Sequence, residues 1–356
     1  MTAAHLTVLA VCLIFMAVAT GLAAFGRRLG ARPVGASLWR KYPLFIGLIA
    51  LFLAASWLPA QWHLLTALLA GLGGLAVWEL ARALLPAGRA PGRVRADGPD
   101  GRSTGGKPGP PELRLLSGQV APGQVREEGP TGRSRRPRVG RLLSGAAAAA
   151  SPLLCAALIA AADGLPAGVL FPLWLGVGLA AGLWAALAGP PEELGRRLLA
   201  VAGGVVYLPL CLAAYVWVRR ADPGGFHAVF LYLIVAANDS FSQITGQVFG
   251  RRLLAARLSP GKTVEGAVGG LLLAALMGAA LGPITGWGWA GGLLAGAVVA
   301  LAGTLGDLAE SAWKRALGLK DFSALLGAQG GVLDRFDGLI LAAPIYFLLL
   351  SLLVRM

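Results

Sequence analysis

Between Gly306 and Asp337 the chain reads GDLAESAWKRALGLKDFSALLGAQGGVLDRFD, a stretch holding four Asp, one Glu and the bases Lys314, Arg315, Lys320 and Arg335. Asp307 and Glu310 stand at i and i+3, so on a helix they share a face, with Ser311 and Lys314 following on the same side. Asp334 and Asp337 repeat that spacing. Two such carboxylate pairs on neighbouring helix ends can jointly hold Mg²⁺, which takes oxygen ligands, keeps several waters and binds through one or two carboxylates plus substrate phosphates. Lys314, Arg315, Lys320 and Arg335 are cations suited to phosphate oxygens, and Gly330 with Gly331 lets the backbone approach a ligand closely. The chemistry that suits these residue types is metal-assisted handling of a phosphorylated substrate.

A second set lies upstream. Asn238-Asp239-Ser240 interrupts an apolar run, and an acid in such a run is a functional candidate by default. Beyond it, Ser259-Pro260-Gly261-Lys262-Thr263 reads as a hydroxyl/Gly/Lys turn of the sort that cradles phosphate. It lacks the first Gly of a P-loop, and no strand is expected before it. Arg251, Arg252 and Arg257 fit equally well as anchors at a membrane face.

The elements that must carry these residues are membrane helices. Hydrophobic residues make up 56% of the 356-residue chain, charged residues 13%, and mean hydropathy is +0.70. A span needs roughly 20 apolar residues. About ten such runs appear, near 4–25, 43–60, 64–85, 142–162, 168–189, 198–218, 226–246, 264–285, 288–308 and 338–355. The expected fold is an all-α polytopic membrane protein of about ten transmembrane helices, since helices satisfy their own backbone groups in lipid. The first run lacks a basic leader and is followed by Arg27 and Arg28, which favours a retained helix over a cleaved signal. Cys12, Cys155 and Cys211 lie inside apolar runs and His5, His63 and His227 are scattered, so neither disulfides nor a zinc site is expected.

Residues 87–141 are rich in Gly, Pro and Arg and poor in aromatics; they read as a disordered basic linker between a three-helix region at 1–86 and a membrane domain at 142–356. Much of the net charge of +14 lies there, so it reports membrane orientation and not a nucleic-acid partner. With Arg27, Arg28, Arg32, Arg40 and Lys41 in one cytoplasmic loop and the linker in another, 190–197, 247–263 and 309–337 also fall in the cytoplasm. The active site then faces the cytoplasm from a multi-pass protein of the cell (inner) membrane.

The run from Ser311 to Asp337 resembles the signature of the phosphatidate cytidylyltransferases, or CDP-diacylglycerol synthases. It matches at Ser311, Lys314, Arg315, Lys320, Asp321, Gly330, Gly331, Asp334, Arg335 and Asp337. Gly306-Asp307-Leu308 and Glu310 resemble the family's lead-in, and Ser259 to Thr263 with Glu265-Gly266 its other motif. Gln329 stands where the pattern has His, and Asp239-Ser-Phe-Ser-Gln also departs from it, as in a divergent branch. The resemblance implies Mg²⁺-dependent transfer of CMP from CTP to phosphatidic acid, with a monovalent cation as a further candidate cofactor. It implies Asp307, Asp334, Lys314 and Arg335 as catalytic residues and Asp239, Asp307, Asp334 and Asp337 as metal ligands. Ser259, Lys262, Thr263, Ser311, Arg315, Lys320, Gln329, Gly330 and Gly331 are the implied substrate contacts. The partners implied are CTP, phosphatidic acid and the lipid bilayer, with a homodimer left open. A catalytically impaired paralogue, a polyprenol-kinase-type enzyme and a transporter stand as alternatives.

Overall fold

A helix surrounded by hydrocarbon can be apolar on its outer face at no cost, and several here are. Val268, Leu272 and Leu276 form one exposed stripe at helical spacing, and Leu348 with Leu352 another. In water such patches would drive association. The computed structural model describes residues 2–28, 51, 62–84, 155, 157–159, 161, 164–187, 194–222, 224–316, 319, 321–323 and 331–353. Lys320, Gln329, Gly330, the 87–141 linker and most of the expected spans at 43–60 and 142–162 lie outside them.

The described elements are α1 (Ala3–Arg28), α2 (Trp62–Leu84), α3 (Ala167–Leu187), α4 (Leu194–Val201), α5 (Leu208–Ala221), α6 (Phe226–Phe249), β1 (Leu253–Ala255), β2 (Ser259–Thr263), α7 (Val264–Leu281), α8 (Gly288–Ala316) and α9 (Leu333–Leu353). Among the described residues, five stretches are long and apolar enough to cross a membrane: Ala3–Phe25, Phe226–Phe249, Val264–Thr285, Gly288–Ala316 and Leu333–Leu353. The protein is therefore mostly helical, with α6 the most enclosed of these spans.

Helices α6 to α9 pack in sequence order, α6 on α7, α7 on α8 and α8 on α9. Close approaches of Gly246 to Gly266, Gly278 to Gly296 and Gly306 to Leu341 show that successive helices run antiparallel. The C-terminal ends of α6 and α8 and the N-terminal ends of α7 and α9 thus gather at one end, which carries every acidic residue singled out above. Small residues set the spacing. A Cβ on Gly278 would lie 2.8 Å from Gly296 Cα, and one on Gly282 the same distance from Gly292 Cα. Gly278 with Gly282, and Gly292 with Gly296, each have Gly-x-x-x-Gly spacing, which lets membrane helices touch backbone to backbone.

The all-α expectation needs one correction. Ser259-Pro-Gly-Lys-Thr263 is not a free turn but strand β2, paired antiparallel with β1 (Leu253 opposite Thr263, Ala255 opposite Ser259, with an irregularity between). The hairpin runs straight into α7, where Thr263 is the N-cap and its Oγ1 accepts from Gly266 N at 3.1 Å. Glu265 in the first turn of α7 reaches back to accept from Arg251 N and Arg252 N at 2.9 and 3.1 Å, fixing the hairpin to the helix.

The expected span at 198–218 is interrupted by a π-helical turn, Ala202–Tyr207, between α4 and α5. Widened turns free backbone groups. Here the Val205 carbonyl accepts from Trp174 Nε1 of α3 at 2.9 Å.

Candidate active site

The site begins with a glycine. A Cβ on Gly306 of α8 would lie 2.7 Å from the Asp337 carbonyl oxygen and 3.0 Å from Leu341 Cβ, so α8 and α9 meet backbone to backbone at the level of the acids. One carboxylate oxygen each from Asp307, Glu310 and Asp337 then falls within 4.8 Å of the other two. The helices run in opposite directions, so Asp334, one turn before Asp337, sits level with Lys314, one turn beyond Glu310. Register, not composition, sorts the two acids of α9.

Lys314 Nζ bridges the layers, donating to Glu310 Oε2 at 2.8 Å and to Asp334 Oδ1 at 2.9 Å. The other Asp334 oxygen accepts from Gly331 N at 2.7 Å and Phe322 N at 3.2 Å, so both oxygens are engaged. Glu310 is 6% exposed and its Oε1 is buried without a hydrogen-bond partner. Lys262, carried by β2, forms an ion pair with Asp307. Asp239 on α6 lies within electrostatic reach of Asp307, Lys262 and Arg335 but outside the three-carboxylate group.

Three carboxylates this close repel one another unless a cation stands among them. A buried carboxylate oxygen with no donor is a costly orphan that a hard cation satisfies. The donor set therefore fits Mg²⁺, with Glu310 joining Asp307 and Asp337. Of the expected ligands, the structure groups Asp307 with Asp337, gives Asp334 to Lys314 and the loop amides, and leaves Asp239 alongside.

The substrate-contact candidates divide similarly. Ser259, Lys262 and Thr263 line one strand, with the Thr263 hydroxyl engaged as a helix cap. Ser311 is buried on α8. Arg315 donates to the Leu258 and Leu319 carbonyls at 3.2 and 2.9 Å, tying the hairpin turn to the end of α8. Arg335 sits in the first turn of α9. Gly331 is confined: a Cβ there would meet Glu79 Oε2 at 2.5 Å.

Glu79 of α2 was not among the candidates. It is 0% exposed, and its carboxylate touches the same loop that Asp334 holds. An acid within the apolar run 64–85 was a signal of the kind that singled out Asp239. No spacing in the sequence linked it to residues some 250 positions away.

Beside the acids lies a cavity of about 320 Å³, walled by the π turn (Ala202, Gly203, Tyr207), by α8 (Glu310, Trp313) and by α9 (Asp337, Ile340). Any side chain at Gly203 would collide with the Trp313 ring, and Trp313 Nε1 is buried without a hydrogen-bond partner. The cavity is thus walled mostly by apolar groups, with Glu310 and Asp337 among its lining residues.

The sequence profile of the cytidylyltransferase family matches residues 131–353. The chain is 33% identical over 167 residues to the uncharacterized protein YnbB of Escherichia coli, covering 45% of this chain and 56% of that one. It is 33% identical over 146 residues to the phosphatidate cytidylyltransferase of Aquifex aeolicus (41% and 55% covered). It is 37% identical over 150 residues to the protein of the same name in Brucella abortus (41% and 55% covered). The match thus spans about half the length of these curated relatives.

Proposed function

The chain belongs to the cytidylyltransferase family, and from that premise we propose that it transfers CMP from CTP to phosphatidic acid, giving CDP-diacylglycerol and pyrophosphate, with Mg²⁺ held by Asp307, Glu310 and Asp337. The observation that carries this reading is the three-carboxylate group, paired with Lys262 and Lys314 and adjoining a mostly apolar cavity. The cations suit a nucleotide triphosphate, the cavity a lipid.

In the reaction a phosphate oxygen of the lipid attacks the α-phosphorus of CTP, a new P–O bond forms, and the bond to the β-phosphate breaks to release pyrophosphate. Both reactants are anions, so the protein's task is to neutralise charge and align groups. A bound Mg²⁺ supplies charge neutralisation at the phosphate oxygens. Lys262 is positioned to exchange its Asp307 partner for a nucleotide phosphate, and the β2 strand delivers it from the hairpin. Lys314 holds Glu310 through Oε2, which would leave Oε1 to help hold the metal. Asp334 acts through the loop, fixing Gly331, Phe322 and Lys314. Arg315 and Arg335 add positive charge at the rim. The lipid's acyl side enters the cavity, whose walls are mostly apolar.

Arg251, Arg252, Arg257, Lys262 and Arg315 all cluster at the end of the bundle that bears the acids. By the positive-inside rule this end faces the cytoplasm, where CTP is found, and the chain as a whole carries about ten spans.

The test is CTP-dependent formation of CDP-diacylglycerol by the purified, detergent-solubilised chain, with and without Mg²⁺. Metal-dependent product supports the reading, and Glu310→Gln should then raise the Mg²⁺ concentration needed for half-maximal rate by about tenfold or more. Absence of product with phosphatidic acid and CTP at saturating Mg²⁺ would overturn it.

A further inference from the structure

Glu79 lies on α2, outside the residues that match the family profile, yet it is enclosed by the loop that precedes α9. Its Oε1 accepts from Ser323 Oγ at 2.5 Å and from Val332 N at 2.9 Å, and its Oε2 accepts from Leu333 N at 3.0 Å. Val332 and Leu333 sit at the N-terminal end of α9, where backbone amides have no partner within the helix and the helix dipole favours an anion. Ser323 lies on the far side of the loop, eight residues before the glycine that begins the return. One carboxylate therefore clamps Ser323 to the start of α9.

Asp334 makes a parallel clamp one layer away, taking Phe322 N and Gly331 N. The two acids interleave: Asp334 holds 322 to 331, and Glu79 holds 323 to 332 and 333. Gly331 fits between them because any Cβ would strike the Glu79 carboxylate. Phe322 packs edge-on against Trp313, at 6.0 Å between ring centroids, so the same loop end also braces the cavity wall.

We propose that Glu79 is a positioning residue of this site: by clamping the loop ends and capping α9 it sets the axial position of α9, and with it the placement of Asp337 beside Asp307 and Glu310. The N-terminal helix α2 then belongs to the catalytic unit as its brace. The inference rests on the proposed reaction only for its kinetic consequences; the clamp itself is independent of what the site does.

The two parts are tested separately on the full-length, detergent-solubilised chain. Hydrogen exchange read by mass spectrometry at Val332 and Leu333 should accelerate by about tenfold in Glu79→Gln, the equivalent of one hydrogen bond to a charged group. Ser323→Ala removes a single donor from the clamp and serves as the variant most certain to fold; about threefold acceleration is expected. In the kinetic arm, Glu79→Gln should lower kcat about tenfold with KM for CTP unchanged, because Lys262 and the hairpin are held from elsewhere. A residue with a purely structural role would instead lower the folded fraction at constant kcat per folded molecule. Exchange at wild-type rates in both variants overturns the clamp. Faster exchange with unaltered kcat overturns the positioning role. If the wild-type chain makes no CDP-diacylglycerol, the proposed reaction fails, and the exchange rates still decide whether Glu79 holds the loop.

Discussion

Replacing Lys314 with Met removes the ammonium and keeps much of the aliphatic stem. In the native chain this ammonium lies 2.8 Å from Glu310 Oε2 and 2.9 Å from Asp334 Oδ1, its side chain 12% exposed and both partners 6%. At an effective permittivity of about 20, each attraction is about 6 kcal/mol in magnitude, most of it offset by desolvation. The variant suffers from what remains: two enclosed carboxylates without their cation. Removing one partner of a buried pair costs about 3–5 kcal/mol. In a domain of this size, 1 kcal/mol moves the thermal midpoint by about 2–4 °C, so a fall of at least about 6 °C is expected. The assay is thermal unfolding in detergent, followed by tryptophan fluorescence, without added divalent ions. Combining Lys314→Met with Glu310→Gln and Asp334→Asn should recover much of the loss, because no buried charge is then stranded. If Lys314→Met melts within about 2 °C of the wild type, Lys314 does not neutralise these acids, and the account of the site's architecture fails.

Gly306→Ala should lower stability by about 1–3 kcal/mol through overpacking against the Asp337 carbonyl, seen as a reduced thermal midpoint, and turnover should fall with it as Asp337 is displaced. Thr263→Ala should cost about 1 kcal/mol by uncapping α7, measured by the same melting assay. Trp313→Phe keeps a ring against Gly203 and deletes a buried N–H that has no partner; the thermal midpoint should hold or rise slightly in the same melting assay.

How much of this was legible in the sequence depends on the range of the interaction. Helices such as α6 and α7 follow from hydropathy alone, and the sharing of one helical face by Asp307 and Glu310 follows from spacing within a single turn. The hairpin was not legible. Its strands are three and five residues long, the second contains Pro260 and Gly261, and pairing to a neighbour imposes the extended form where local propensity does not. Which α9 acid would join Asp307 and Glu310 was not legible either, since that choice depends on how far α9 slides along α8, which the close approach at Gly306 decides. The π turn left only a Gly pair as its trace, and Glu79 meets its partners solely through the folded chain.

Among the described residues, Gly278 and Gly282 bring α7 and α8 into backbone contact, whereas the π turn leaves a hollow where α5, α8 and α9 meet. The described bundle is therefore tight on one flank and hollow on another. On the proposed reaction, substrate and product lipids would share that hollow, so the product's departure into the bilayer would set when the next turnover can begin.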